Sequence, residues 1–104
     1  MGVIRHNGIL VTGYEPDIQK VYKKAKKIFY RKMVSELSQE LGNGYQSFAI
    51  FPDGSKEGWG TSNDNDENRE TFFEWLEKKD RAVSAVDVAF GGDFNATQFE
   101  QVYF

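Results

Sequence analysis

The stretch "FPDGSKEGWGTSND", residues 51–64, decides how the middle of the chain folds. The six residues before it are "YQSFAI". Together with Phe51 they have the composition of a strand, which we predict at 45–51. The order Pro-Asp-Gly is typical of a hairpin turn, because proline presets φ for a type I turn and glycine adopts the left-handed position of a bulge. We therefore expect a turn at Pro52 and Gly54, and a return strand over "SKEGW".

The end of this stretch predicts the start of a helix over residues 65–79. Asp64 and Glu67 have the spacing of an N-cap residue and its reciprocal partner. The alternative is a calcium loop, in which Asp64 and Asp66 would supply alternating oxygen ligands, but that loop needs a glycine where this chain has Arg69. The sequence therefore predicts a capped helix and no metal site.

The rest of the chain supplies another helix and further strands. "GILVTG", residues 8–13, and "AVDVAF", within 84–90, are short apolar runs that predict strands. Residues 16–30 have apolar side chains at helical spacing, with Pro16 in a position suited to a first helical turn. "RKMVSELSQEL", residues 31–41, fits either a continued helix or a short strand.

This order of elements predicts an α+β fold. Counting a weak strand after the first helix, it is the βαββαβ order of a ferredoxin-like sandwich, an antiparallel sheet with two helices on one face. We expect a single domain over residues 1–93. Phe48 and Ile50 would then face the helices, and Tyr45 and Phe51 would lie on the opposite face.

The C-terminal segment 94–104 has aromatic residues spaced among polar ones. An apolar sheet face left open is rare on a monomer. We therefore expect this tail to pack on the sheet or on a partner, and a homodimer is the other way to cover the face.

Composition excludes several classes of protein. The chain has 104 residues and no cysteine, so it has neither a thiol nucleophile nor a zinc–thiolate site. No apolar run is long enough to span a membrane. The net charge is −3, which disfavours a broad nucleic-acid interface. Seven of 13 basic residues lie within 20–32 and nine of 16 acidic residues within 53–80, so the two signs of charge are segregated.

Catalytic signatures are absent from the sequence. His6 is the single histidine, and the chain contains neither G-x-S-x-G nor H-E-x-x-H. The glycines do not have the strand-to-helix placement of a phosphate-binding loop. We therefore predict no catalytic residue, no cofactor and no metal, and we keep His6 as a binding candidate. An enzyme that uses carboxylates and His6 stays as a third alternative.

Three segments of the chain resemble small phage-encoded proteins. "MGVIRHNGILVTGY", "NGYQSFAIFPDGSKEGW" and "FFEWL" are similar to the family pattern M-R-H-x-x-I-I-V-T, N-G-Y-x-S-F, P-D-G-S-K-E-G-W and F-x-x-W-L. The resemblance extends to about Trp75 and leaves residues 80–104 unmatched. Since that family has no settled activity, the resemblance implies a phage or prophage origin and a place in the bacterial host cytoplasm. It also favours a strand for "VSELS".

Two functional classes follow from these observations. The favoured one is a non-enzymatic phage accessory protein that binds and modulates a host protein, such as a defence component. The alternative is a binding module for a nucleotide or single-stranded nucleic acid, because "GYQSFAIF" lies where RNA-recognition domains present aromatic residues on an open sheet. The candidate binding residues are Lys56, Glu57 and Trp59 beside the turn, Tyr45 and Phe51 on the sheet, His6, and the helical lysines Lys20, Lys23, Lys24 and Lys27.

Overall fold

The computed structural model describes residues 4–56, 58–78, 83–93 and 98–103. Within these residues, the chain forms four strands and two α-helices, with short 3-10 turns at Arg31–Met33 and Gly42–Gly44. In chain order, the elements are β1 (His6–Gly13), α1 (Asp17–Ile28), β2 (Gln46–Ile50), α2 (Gly60–Lys78), β3 (Val83–Phe90) and β4 (Gln98–Tyr103).

The strands make one sheet in the order β2-β1-β3-β4, and every neighbouring pair is antiparallel. At the centre of the sheet, Leu10 of β1 is paired with Ala49 of β2 and with Val86 of β3. Because β2 and β3 both run antiparallel to β1, they are parallel to each other, and α2 connects them across the inserted strand. The predicted α+β class is confirmed.

The ferredoxin-like order is not what the chain adopts. The observed order is βαβαββ, because the described residues of "SKEGW" form no return strand. Lys56 makes only an isolated bridge to Ile4. The turn after β2 is instead closed by the Asp53 side chain, which accepts hydrogen bonds from Ser55 and from Asn65 of α2. The chain therefore passes from β2 directly to α2, and the hairpin prediction is wrong.

The core lies between one face of the sheet and both helices. Phe48 and Ile50 are buried on this face, as predicted. The core residues they contact occur at every second position of the neighbouring strands. On each helix they occur at intervals of about 3.6 residues, which places them on one face. The other core residues on these elements are Ile9, Val11, Ile18, Val21, Ala25, Phe72, Leu76, Val83 and Ala85.

The helix α2 begins earlier than its sequence predicts. It starts at Gly60, and the amide of Asn63 already donates to the carbonyl of Trp59 at 3.0 Å. Asp64 therefore lies inside the helix, and its predicted role as N-cap is wrong. Gly58, with φ of 89°, turns the chain into this early start in a conformation that glycine adopts without strain.

Residues 31–41 form neither a helical extension nor a regular strand. After the 3-10 turn, the segment runs along the outer edge of β2, where the amides of Ser35 and Ser38 donate to the carbonyls of Ala49 and Ser47, each at 2.8 Å. The hydroxyl oxygens of the same two serines accept the amides of those two β2 residues. An isolated bridge of Val34 to Ile50 is the one strand-like pairing assigned in the described part of this segment.

The C-terminal segment joins the sheet at its edge. Residues 98–103 pair with β3 as β4, so they extend the sheet sideways instead of lying across its open face, where the tail was expected. Residues 94–97 and 104 lie outside the described residues, and the predicted domain boundary after residue 93 stays a prediction. No helix in the described part of the chain has the length and apolar character that a membrane span requires.

Candidate binding surfaces

A cleft of about 570 Å³ lies where the end of β2 meets the start of α2. Its apolar wall comes from the exposed rings of Tyr30 and Phe51, with Met33 and Pro52 beside them. Its polar wall consists of Lys32, Asp53, Thr61, Asp64, Asn65 and Asn68. The volume is within the range of pockets that hold a small ligand or a protruding side chain.

The turn that forms one side of this cleft is held by the Asp53 carboxylate. Its Oδ1 accepts the Ser55 amide at 2.9 Å and the Ser55 hydroxyl at 2.7 Å. Its Oδ2 accepts a hydrogen bond from Nδ2 of the buried Asn65. Because both oxygens are bonded within the chain, the position of Pro52 and Phe51 is fixed relative to α2.

These bonds also set the charge of the cleft. Partial burial acts to raise the pKa of Asp53, but the hydrogen bonds from Ser55 and Asn65, together with the Arg69 charge, leave that pKa below its ordinary value. Asp53 is therefore a carboxylate at neutral pH. Asp64 and Lys32 also line the cleft, so its lining has one more negative than positive charge.

The second structural feature is the sheet face that points away from the helices. Leu10 is 51% exposed at its centre, with Ala49 and Val86 beside it in register. Thr12 and Ser47 share a hydrogen bond of 2.8 Å on the same face. On β1, β2 and β3, the described residues of this face include no Asp, Glu, Lys or Arg; they are His6, Gly8, Leu10, Thr12, Ser47, Ala49, Ser84, Val86, Val88 and Phe90.

The helix layer has the opposite character. α1 has five lysines and one aspartate, while α2 has six carboxylates and two basic residues. Among the described residues, no ion pair joins the α1 lysines to the α2 carboxylates. Instead, Arg69 pairs with Asp66 on its own helix and lies 4.0 Å from Asp87 of β3. No cluster of metal-binding side chains occurs within the described ranges, and the absence of a metal site stays a prediction.

The structure separates the predicted binding residues beside the turn and on β2. Phe51 lines the cleft, whereas Tyr45 lies at the opposite end of β2, where its ring stacks on Tyr14 at 4.1 Å. Trp59 is exposed just before α2 but does not line the cleft, and Lys56 is half-buried. Glu57 lies outside the described residues.

The remaining predicted residues lie on other surfaces. The ring of His6 is 5.8 Å from that of Phe90 at one end of the open face. Lys20, Lys23 and Lys27 are exposed on α1, and Lys24 lies over the ring of Trp75 at 5.6 Å. These residues therefore do not form one site with Phe51.

Sequence reasoning missed most of the cleft. The helical spacing of residues 16–30 places Tyr30 at the end of a helix, and no apolar period marks Thr61, Asn65 and Asn68 as part of a site. The Asp-Gly-Ser order could have indicated that the Asp53 side chain closes the turn, because aspartate side chains often bond the backbone two residues further on. It does not point to Tyr30 or to the residues of α2.

Comparisons of the chain with protein-family models, with curated proteins and with solved structures found no match.

Proposed function

We propose that this chain is a small phage accessory protein without enzymatic activity, and that it binds a host protein in the bacterial cytoplasm and modulates it. A component of a defence system is one such host protein. The observation that carries the proposal is the cleft with the exposed rings of Phe51 and Tyr30, which are 48% and 63% exposed.

The apolar wall of the cleft supports binding to a protein. Tyrosine, phenylalanine and methionine are enriched in protein interfaces, and the residues that dominate affinity are anchored in well-packed pockets. Here Tyr30, Phe51 and Met33 surround a concave surface that an inserted side chain would fill. Because hydrogen bonds hold the turn to α2, little conformational entropy is lost when a partner docks.

The charges of the cleft indicate the chemistry of the partner. Asp53 and Asp64 would attract a basic side chain, while the Tyr30 and Phe51 rings would contact its apolar stem or a neighbouring aromatic residue. Arginine combines a cationic head with a planar group that stacks on aromatic rings. We therefore propose that the host protein presents an arginine or lysine beside an apolar residue.

Nucleic-acid binding on the open sheet face was the alternative. Phosphate contacts by lysine and arginine supply most of the affinity in nonspecific complexes with nucleic acids. The described residues of that face on β1, β2 and β3 include neither, and Phe90 is their one aromatic residue besides His6. The charge pattern thus favours a protein partner.

The test is affinity purification from a bacterial lysate with three tagged baits, each with and without nuclease. The baits are the wild type, Phe51→Ser, and the control Leu41→Ser, which alters a side chain that is 70% exposed near the opposite end of β2. We expect the wild type and the Leu41 variant to retain the same protein after nuclease treatment. Phe51→Ser should lose it, since removing an anchor residue weakens binding by about 2 kcal/mol or more, roughly 30-fold.

Two results would contradict the proposal. One is recovery of nucleic acid alone, with nothing retained after nuclease. The other is the same set of proteins on all three baits. Circular dichroism of each bait verifies that a lost interaction does not come from a lost fold.

A further inference from the structure

We infer that the open sheet face binds a second copy of this chain, so that the protein forms a dimer through its sheets. The contact surface is centred on Leu10 of β1 and includes Thr12, Ala49, Val86 and Val88. It lies on the side of the sheet away from the helices, and none of these five residues lines the cleft proposed to bind a host protein.

Charge is the first argument for a second copy. In a two-fold symmetric contact, both copies contribute the same patch. Any charged residue in the patch is therefore buried together with its like-charged copy. Interface cores are depleted of charged residues because desolvation of each charge is costly. On β1, β2 and β3, the described residues of the sheet face include no Asp, Glu, Lys or Arg, whereas both helices have many of these residues. Among these surfaces, the sheet face is the one that two copies can bury without burying charge.

The fourth strand agrees with this pattern. By register, Phe99 is paired with Val88, Gln101 with Val86 and Tyr103 with Ser84. The positions of β4 that align with the open-face residues of β3 are therefore uncharged as well. The charged residue of β4, Glu100, is paired instead with Asp87.

The size of the face is the second argument. Four strands spaced about 4.8 Å apart and about seven residues long cover a projected area of about 450 Å². Two copies would contribute about 900 Å², close to the roughly 1,000 Å² of total buried surface that separates specific interfaces from incidental ones. Leu10, which is large and half exposed, would be buried at the centre. Because this area is slightly below that threshold, we expect a weak and reversible dimer.

The outer edge of β2 disfavours a dimer that forms by pairing of strands from two copies. The amides of Ser47 and Ala49 on the outer edge of β2 are bonded to the hydroxyls of Ser38 and Ser35. A strand from another copy therefore finds this edge occupied. Face-to-face packing needs no free edge and leaves these bonds intact.

The experiment is analytical ultracentrifugation of the purified full chain from about 5 to 500 µM, at low salt and at 1 M sodium chloride. We expect the mass to rise with concentration from 11.9 kDa toward twice that value, at both salt concentrations. Leu10→Lys should remain monomeric over the whole range, with its helical circular dichroism unchanged. The control Leu41→Lys, which adds the same charge off the sheet, should dimerise like the wild type.

Three outcomes decide against the inference. A wild type that is monomeric at 500 µM overturns it without reference to any variant. A dimer that dissociates at 1 M salt would be held by the charged helices, because apolar contacts do not weaken with salt. A dimer that Leu10→Lys leaves intact would use another surface. If Leu10→Lys fails to fold, Thr12→Lys tests the same face from a half-buried position.

Discussion

Asn65, in the second turn of α2, donates a hydrogen bond to the carboxylate of Asp53 in the turn that follows β2. This contact joins two segments that the sequence places twelve residues apart. It orients the Pro-Asp-Gly turn toward the helix, and it fixes one wall of the cleft that contains Phe51. The turn and the cleft therefore depend on the same polar network.

Replacing Asn65 should destabilise the fold. Asn65→Ala leaves one oxygen of Asp53 without its donor, and we expect the free energy of unfolding to fall by about 1–2 kcal/mol in urea denaturation. The control is Asn63→Ala, at an exposed position of the same helix. Both variants gain the helix propensity of alanine, so the difference between them isolates the buried bond. Equal stabilities would show that the bond contributes nothing.

The same carboxylate predicts a dependence on pH. Because the pKa of Asp53 is lowered in the folded chain, its ionised form stabilises the fold above an ordinary aspartate pKa of about 3.9, and this contribution is lost as the pH falls through the lower folded value. Asp53→Asn removes the titrating group. The difference in unfolding free energy between wild type and variant should therefore be larger at pH 6 than at pH 3. A difference that is constant across this range would contradict the assignment.

Ser35 and Ser38, in the segment beside β2, should protect the outer edge of the sheet from hydrogen exchange. Ser38→Ala removes the hydroxyl that accepts the Ser47 amide, and we expect a loss of about 1 kcal/mol and faster hydrogen exchange at that amide. The amide of Ala49, which is bonded to Ser35, is the internal reference and should exchange as in the wild type. Unchanged exchange at Ser47 would mean that the backbone alone holds the edge.

The stacked pair of tyrosines gives a spectroscopic prediction. Hydrogen bonding to the Tyr45 side chain, followed by partial burial, raises the pKa of Tyr14. In Tyr45→Phe, the titration of the Tyr14 ring followed by NMR should move to lower pH, toward the ordinary value. The control Tyr30→Phe, at a residue that lines the cleft, should leave the Tyr14 titration in place.

Much of this architecture follows from local patterns in the sequence. The sequence predicts α1 from its apolar stripe, because burial of one helix face imposes a period of about 3.6 residues. It predicts β1, β2 and β3 from short apolar runs, which are typical of buried strands. The inward direction of Phe48 and Ile50 followed from the same alternation.

The remaining features depend on contacts between distant residues. The first turns of α2 are polar, so no apolar period marks where the helix begins, and the sequence predicts its start five residues too late. The hydrogen bond from Asn65 to Asp53 supports these first turns. Met33, Leu37 and Leu41 have helical spacing, yet hydrogen bonds from Ser35 and Ser38 to β2 hold that segment extended. The sequence predicts Phe51 as a binding residue. It does not predict Tyr30, because only the folded chain brings Tyr30 to the cleft beside Phe51.

Site-specific photo-crosslinking in bacterial cells tests whether a host protein docks in the cleft. A photoreactive benzoylphenylalanine would replace Tyr30, which lines the cleft, or Leu41, which lies near the opposite end of β2. We predict one dominant protein adduct from position 30 and none from position 41. Equal adducts from both positions, or no protein adduct from position 30, would show that the cleft is not the site where a host protein binds.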